Sequence, residues 1–268
     1  MKLSIFIVDA FTDQPYAGNP AGVCMMPSPR DSHWMQEIAS ELNLPETVFV
    51  VTVDQGYRLQ WFTPMMEIDL SGHGTLAAAH LLWELKRLRP DAKAPFITRS
   101  GVLTAKRQKN GWIEMDFPAE PAHEAELPKE VARALGIKQN QIAWTGRNRI
   151  ALLLELKSEN AVRSLNPDPR ALGKIETPRG LIVTAKSESP KYDFVSRYFA
   201  PKSGVFEDPA TGSAHCALGP YWGPKLDKSE MVGYQASRRG GWVQVALAAN
   251  RVLLRGQAVT VIRGEIDA

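Results

Sequence analysis

Two stretches of the sequence place acidic, hydroxyl and imidazole side chains directly before apolar segments. In "SGHGTLAAAHLLW", residues 71–83, Ser71 and His73 lead the segment, and in "EDPATGSAHCALGPYW", residues 207–222, Asp208 does so. A helix that is apolar on all sides is buried. Its first backbone N–H groups then lie inside the protein, where they need acceptors. We therefore expect two buried helices, each closed at its start by a capping side chain or by an anionic ligand.

Both ways of closing a helix start are open to this sequence. Ser71, Thr211 and Ser213 are residue types that cap helices. Gly72 to Ala77 also match the dinucleotide-binding pattern G-x-G-x-x-A, but that pattern requires a hydrophobic strand directly before it. The preceding residues are "PMMEIDLS", so we exclude a nucleotide site. An anion bound at such a start could be a carboxylate or a phosphate.

Another acidic side chain, Glu46, begins the predicted strand "ETVFVV". Beside the apolar residues Val48 and Phe49, desolvation would raise the pKa of this carboxyl toward neutrality and suit it to proton transfer. The alternative is a solvated acid at the edge of a strand.

The two helix stretches belong to longer segments that resemble each other. "WFTPMMEIDLSGHGTLAAAHLLW" and "RYFAPKSGVFEDPATGSAHCALGPYW" both contain an aromatic residue, Phe, a small residue and Pro, and both end in Trp after an apolar helix. This similarity predicts a duplicated domain. With "FPAEPAHEAELP" as the linker, we place the domains at 1–117, to which 258–268 can be added, and 118–257.

The composition excludes several classes of protein. The net charge of +3 among 268 residues is too small to indicate binding of nucleic acid or an anionic membrane. Asp9 interrupts the first apolar run, which therefore predicts a strand rather than a signal peptide, and no run reaches the length of a membrane span. The two cysteines form no CxxC pair, which argues against a disulfide framework and a metal site. We expect a cytoplasmic protein without a metal.

Six ordered motifs, "DAFT", "GNPAGV", "NLPETVFV", "WFTP", "SGHGTLAAAH" and "EDPATGSAH", make the chain resemble the PhzF-like family of phenazine biosynthesis, relatives of diaminopimelate epimerase. The resemblance spans nearly the whole chain. It implies an α/β (α+β) fold of two pseudo-symmetric domains, each a β-sheet wrapped around a central buried helix. It also implies an active site in the cleft between the domains, a homodimer, and no cofactor.

The same resemblance implies roles for individual residues. One glutamate of the PhzF enzyme moves a proton between two carbon atoms on one face of its substrate, and Glu46 matches it. The catalytic residues expected from the family are Glu46, His73 and Asp208. The residues expected to bind the substrate are Asn19, Gly72, Gly74, Gly212 and Ser213.

Diaminopimelate epimerase uses a cysteine before each of its two central helices. Here the resemblance puts Ser71 and Pro209 at those places, whereas Cys24 and Cys216 lie elsewhere. A racemisation by two thiols is therefore not expected. We interpret Cys216 as a core residue and assign no function to Glu207.

These observations favour a cofactor-independent isomerase that acts on a small amino or hydroxy carboxylate. An amino-acid racemase or epimerase is the alternative enzyme, and it would need a second base on the opposite face of the substrate. A non-catalytic ligand-binding or interaction protein of the same fold is the third possibility. The residues name neither the substrate nor the pathway, and they do not tie the chain to phenazine synthesis.

Overall fold

The computed structural model describes residues 2–267. Contacts divide the chain into two units: the first runs to Phe117 and resumes at Leu253, and the second is Pro118–Val252. The elements of the first unit are β1 (Lys2–Ala10), β2 (Asn19–Met26), α1 (Ser32–Leu42), β3 (Glu46–Val53), β4 (Gly56–Phe62), β5 (Glu67–Ile68), α2 (Gly72–Glu84), β6 (Lys93–Thr98), β7 (Gly101–Arg107), β8 (Ile113–Pro118) and, at the end of the chain, β18 (Ala258–Asp267).

The second unit contains the remaining elements. Its last strand, β17, begins in this unit and ends in the first one. They are β9 (His123–Glu124), α3 (Lys129–Leu135), β10 (Ile142–Arg147), β11 (Ala151–Leu156), α4 (Glu159–Arg163), α5 (Pro169–Gly173), β12 (Gly180–Lys186), β13 (Phe194–Ala200), β14 (Val205–Asp208), α6 (Gly212–Leu226), β15 (Glu230–Gln235), β16 (Gly241–Ala248) and β17 (Arg251–Gly256).

The sheet of the first unit follows the order β18–β1–β2–β3–β4–β6–β7–β8. The pairs β2–β3 and β4–β6 are parallel, and the other pairs are antiparallel. Helix α2 packs against β1, β2, β3 and β18. Every residue of α2 from Gly72 to Trp83 except His80 is buried, which confirms the predicted buried helix inside a sheet.

Strand β3 separates two packing layers because its side chains alternate. Phe49 and Val51 belong to the apolar cluster under α1. The alternate residues Glu46, Val48 and Val50 therefore face α2. Glu46, the first of these three residues, is therefore directed at the start of α2.

The second unit repeats this plan. Its sheet follows the order β9–β10–β11–β12–β13–β15–β16, with β11–β12 and β13–β15 parallel. Helix α6 is its buried helix, although Pro220 and Pro224 lie within it. Proline has no N–H, so Pro220 leaves the carbonyl of Cys216 without its helical donor. The N–H of Glu120 bonds to that carbonyl instead, at 2.9 Å.

The strand registers show which positions correspond in the two units. Glu46 pairs with Ala21 across β2–β3, and Gly180 pairs with Ala151 across the matching strands β11–β12. Two residues further along, Val48 pairs with Trp61, and Ile182 pairs with Tyr198. Gly180 is thus the counterpart of Glu46, and Tyr198 that of Trp61.

No helix within residues 2–267 is long and apolar enough to cross a membrane.

The burial of α2 predicts a large effect of truncating a side chain on it. Leu76→Ala removes a side chain that is fully buried, and we expect the free energy of unfolding to fall by about 3 kcal/mol. Urea unfolding followed by circular dichroism measures this loss. Val102→Ala is the control, since Val102 is 63% exposed, and a loss at Leu76 no larger than at Val102 would contradict the packing described here.

Candidate active site

The first helix start, defined as Ser71–Gly74, is closed by a serine cap. Ser71 has an extended backbone and its Oγ accepts the Gly74 N–H at 3.0 Å. The same hydroxyl donates a hydrogen bond to Glu46 Oε2. Ser71 therefore both caps α2 and fixes the carboxyl of Glu46 beside the helix start.

His73 lies next to the same carboxyl. Its Nδ1 is 3.6 Å from Glu46 Oε2, and 3% of its side chain is exposed, against 14% for Glu46. Burial lowers the pKa of His73 to about 3, so the imidazole is neutral at physiological pH and this contact is not an ion pair. Its Nε2 is buried without a hydrogen-bond partner among the described residues. His73 can thus give or accept one hydrogen bond without bringing a charge.

Gly74 allows three groups to converge on the helix start. A Cβ at this position would lie 2.9 Å from Ser71 Oγ, 2.9 Å from Trp61 Cδ1 and 3.3 Å from Glu46 Oε2. A larger residue would therefore push the serine, the indole or the carboxyl away. The N–H of Gly74 is used by the cap, and its role in substrate binding stays a prediction.

Asn19 is fully buried and begins β2. It stands two residues before Ala21, the residue that pairs with Glu46. Because β2 and β3 are parallel, Asn19 lies at the same end of the sheet as Glu46.

The second helix start, defined as Asp208–Ser213, is organised by a glutamine. Thr211 is the N-cap of α6, and its hydroxyl donates to Asp208 Oδ2 at 2.5 Å. Gln235 accepts the Thr211 N–H at 2.8 Å and donates to the Thr211 hydroxyl at 3.0 Å. It also donates to the Asp208 carbonyl at 2.6 Å. Asp208 is therefore held by the cap and turned toward the start of the helix, whose first residues are Gly212 and the half-buried Ser213.

The two buried helices have N-caps of the same chemical type at corresponding places. Glu67 pairs with Phe62, and Glu207 pairs with Phe199, at matching places in the two units. Ser71 lies four residues after Glu67, Thr211 lies four residues after Glu207, and both are N-caps. Each helix start thus carries a hydroxyl at its N-cap.

The thiols of Cys24 and Cys216 lie in the apolar core, away from the N-cap positions. Cys24 and Cys216 are both fully buried. Burial raises the pKa of Cys24 to about 11 and raises the pKa of Cys216 further. Neither forms a thiolate at neutral pH.

Glu207 has a structural partner. Arg197 binds both of its carboxylate oxygens, at 2.7 and 2.8 Å, and also donates to the carbonyl of Leu165 at 2.5 Å. The two adjacent acids thus have different partners. Arg197 neutralises Glu207, and Thr211, the N-cap of α6, bonds to Asp208.

Sequence reasoning missed two residues of these helix starts. The sequence marks Trp61 only as part of the "WFTP" motif. In the sheet Trp61 pairs with Val48, which lies two residues after Glu46 and faces α2, so Trp61 lies on the α2 side of β4. Gln235 lies 24 residues after Thr211 and carries no local signal. Its contact depends on the pairing of β15 with β13.

Comparisons with known proteins agree with this architecture. The family model described as phenazine biosynthesis-like protein matches residues 8–264. An uncharacterized isomerase of Halalkalibacterium halodurans is 52% identical over 267 residues, 99% of each protein. The crystal structure of a PhzF-family phenazine biosynthesis protein from Enterococcus faecalis is 38% identical, with a TM-score of 0.91 over 100% of both chains.

A more distant structure shares the fold alone. It is a hydroxyproline epimerase from Agrobacterium vitis with bound trans-4-hydroxy-L-proline, 9% identical, with a TM-score of 0.65 over 99% of this chain and 92% of that one.

The neutral His73 predicts how stability depends on pH. Its pKa is about 3 in the folded chain and about 6.5 when unfolded. Between these values the unfolded chain binds more protons, so stability is complete above pH 6.5 and is lost as the pH falls toward 3. The contribution of one such histidine is about 1.4 kcal/mol per pH unit.

Urea unfolding at several pH values between 4 and 6.5 measures this slope. We expect His73→Gln to reduce the slope by about one proton, whereas His33→Gln leaves it unchanged, since 84% of the His33 side chain is exposed. Equal slopes in His73→Gln and the unmodified chain would show that His73 is not held neutral.

Proposed function

The chain belongs to the family of phenazine biosynthesis-like proteins, as the resemblance predicted, and we propose that it is a cofactor-independent isomerase acting on a small amino or hydroxy carboxylate. The names of its relatives support an isomerase- or epimerase-type enzyme at the coarser level. The finer proposal rests on one observation: a carboxyl group, a hydroxyl and a neutral imidazole meet at the start of a buried helix.

In the proposed reaction, Glu46 removes a proton from a carbon atom of the substrate. The electron pair of the broken C–H bond moves into the adjacent unsaturated system, and the Glu46 carboxylic acid returns the proton to a second carbon atom. Atoms and charge balance without a further reactant. The hydrogen bond from Ser71 to Glu46 Oε2 holds the carboxyl group in place, so little reorganisation is needed during the proton transfer.

The substrate carboxylate is proposed to bind at the helix starts. The first N–H groups of a helix attract anions, and those of Gly72 and His73 precede the amide that Ser71 caps. A neutral His73 adds a hydrogen bond without a cation that would draw Glu46 into a fixed ion pair. Gly212 and Ser213 offer the same kind of amide in the second unit, and Asp208 is proposed to bind an amino or hydroxyl group.

The corresponding positions of the two units favour one base over two. The counterpart of Glu46 is Gly180, where a Cβ would lie 2.6 Å from the ring and hydroxyl of Tyr198. No carboxylate stands at that place. A racemase needs a base on each face of the substrate, and the second unit offers none at the position that corresponds to Glu46. The homodimer and the cytoplasmic location stay predictions.

Proton transfer through Glu46 is tested by hydrogen exchange. A thermal-shift screen of small amino and hydroxy carboxylates supplies ligands, and proton NMR in heavy water follows their carbon-bound hydrogens. We expect Glu46→Gln to slow isomerisation at least about 100-fold, because the amide cannot accept the proton. Glu41→Gln, at an exposed position of α1, is the matched control.

Four outcomes test the candidate functions and the role of Glu46. Isomerisation without inversion at a stereocentre supports the proposal. Inversion with uptake of deuterium supports a racemase or epimerase instead. Full turnover in Glu46→Gln would contradict the role of Glu46, and bound ligands that never react in the unmodified chain would indicate a binding protein.

The proposed role of Asp208 is binding rather than proton transfer. We therefore expect Asp208→Asn to raise KM about tenfold, the effect of one weakened charge-assisted hydrogen bond, with kcat changed less than threefold. Steady-state kinetics measure both constants, and Asp227→Asn, at an exposed residue after α6, is the control. A loss confined to kcat would assign Asp208 to the chemical step.

A further inference from the structure

Trp61 presents a buried donor that no group among the described residues uses. The residue is 1% exposed. Within residues 2–267, its indole Nε1 is buried without a hydrogen-bond partner. Leaving a buried donor unpaired is costly, so this N–H calls for a partner from outside the chain.

The indole ring reaches the first helix start. Its Cδ1 atom lies 2.9 Å from the position that a Cβ on Gly74 would occupy. Nε1 is bonded to Cδ1 in the five-membered ring, so the N–H lies next to the ring atom that approaches this start. Of the groups around this start, His73 Nε2 is likewise buried without a partner in the described part of the chain.

The groups at this place differ in exposure. Glu46 keeps 14% of its side-chain surface exposed, whereas Trp61 and His73 are almost completely buried. The nitrogen of an indole only donates. Its partner must therefore be an acceptor, such as a carboxylate or carbonyl oxygen of the bound molecule.

The position of Trp61 follows from strand register rather than from a local motif. It pairs with Val48 across β3–β4. The corresponding residue of the second unit, Tyr198, is also a buried aromatic with a polar tip. That tip lies over Gly180, at the place of the missing carboxyl side chain. Each unit thus carries an aromatic ring with a polar atom at this position, and in the first unit a glycine at 74 lets the ring reach the helix start.

We infer that Trp61 is a substrate-binding residue whose indole N–H donates to a carboxylate oxygen of the ligand at the first helix start. This inference rests on the proposed function and deepens it, because it names the group that receives the carboxylate beside the helix amides. Gly72 and His73 supply backbone donors, and Trp61 supplies a rigid side-chain donor whose direction is fixed by core packing.

Nitrogen-15 NMR of the full chain tests the inference with three small carboxylates: acetate, glycolate and L-serine. Trp61→Phe assigns the indole resonance. We expect at least one of the three to move the Trp61 indole N–H saturably, together with the backbone amides of Gly72 and His73. Amides that move while the indole stays fixed with all three ligands would overturn the role of Trp61 and leave carboxylate binding intact. If nothing moves, carboxylate binding at this start is rejected as well.

A second measurement separates the N–H from the bulk of the ring. Replacing Trp61 with 3-benzothienylalanine keeps the bicyclic shape and removes the donor. We expect binding of the tightest carboxylate to weaken about tenfold, with an unchanged urea midpoint. The same replacement at Trp34, a half-buried residue of α1, is the control. Unchanged affinity at Trp61 would overturn the inference. Turnover retained in Glu46→Gln would reject the proposed function and leave this binding result standing.

Discussion

The structure depends on one constraint: a helix surrounded by its own sheet begins where water does not reach. The first amides of α2 and α6 cannot be left to solvent, so side chains from neighbouring strands must gather at each start. That requirement brings polar groups into the core of both units. It also produces an environment in which a carboxyl group, an imidazole and an indole behave differently from the same groups at the surface.

The two units meet this constraint in different ways. At the second helix start, Gln235 bonds to both Thr211 and Asp208, and the polar groups largely satisfy each other. At the first, Ser71 bonds to Gly74 and Glu46, while His73 and Trp61 keep buried nitrogens without partners among residues 2–267. The first helix start thus has more buried polar atoms without a partner in the described residues than the second. A site that completes its hydrogen bonds with a ligand is expected to have such atoms.

Burial also sets the chemistry that each histidine and thiol can perform. His73 and His215 stay neutral because desolvation lowers the pKa of the first to about 3 and of the second to about 4. Burial raises the pKa of both cysteines, so neither thiol becomes a nucleophile. The two units also differ chemically at corresponding positions, because the first carries the Glu46 carboxyl where the second carries Gly180.

The sequence alone determined the two buried helices, because the stretches 71–83 and 207–222 each continue into an apolar segment without a charged face, and it determined the family through six ordered motifs. It also identified Glu46, His73 and Asp208 as candidates, since each lies within or next to such a motif. Only the tertiary structure decided that Arg197 binds Glu207, that Ser71 and Thr211 are the N-caps of the two buried helices, and that Trp61 and Gln235 lie at the helix starts. Those contacts join residues on different strands, and strand register, which is fixed by the packing of the whole sheet rather than by local sequence, decides which side chains meet.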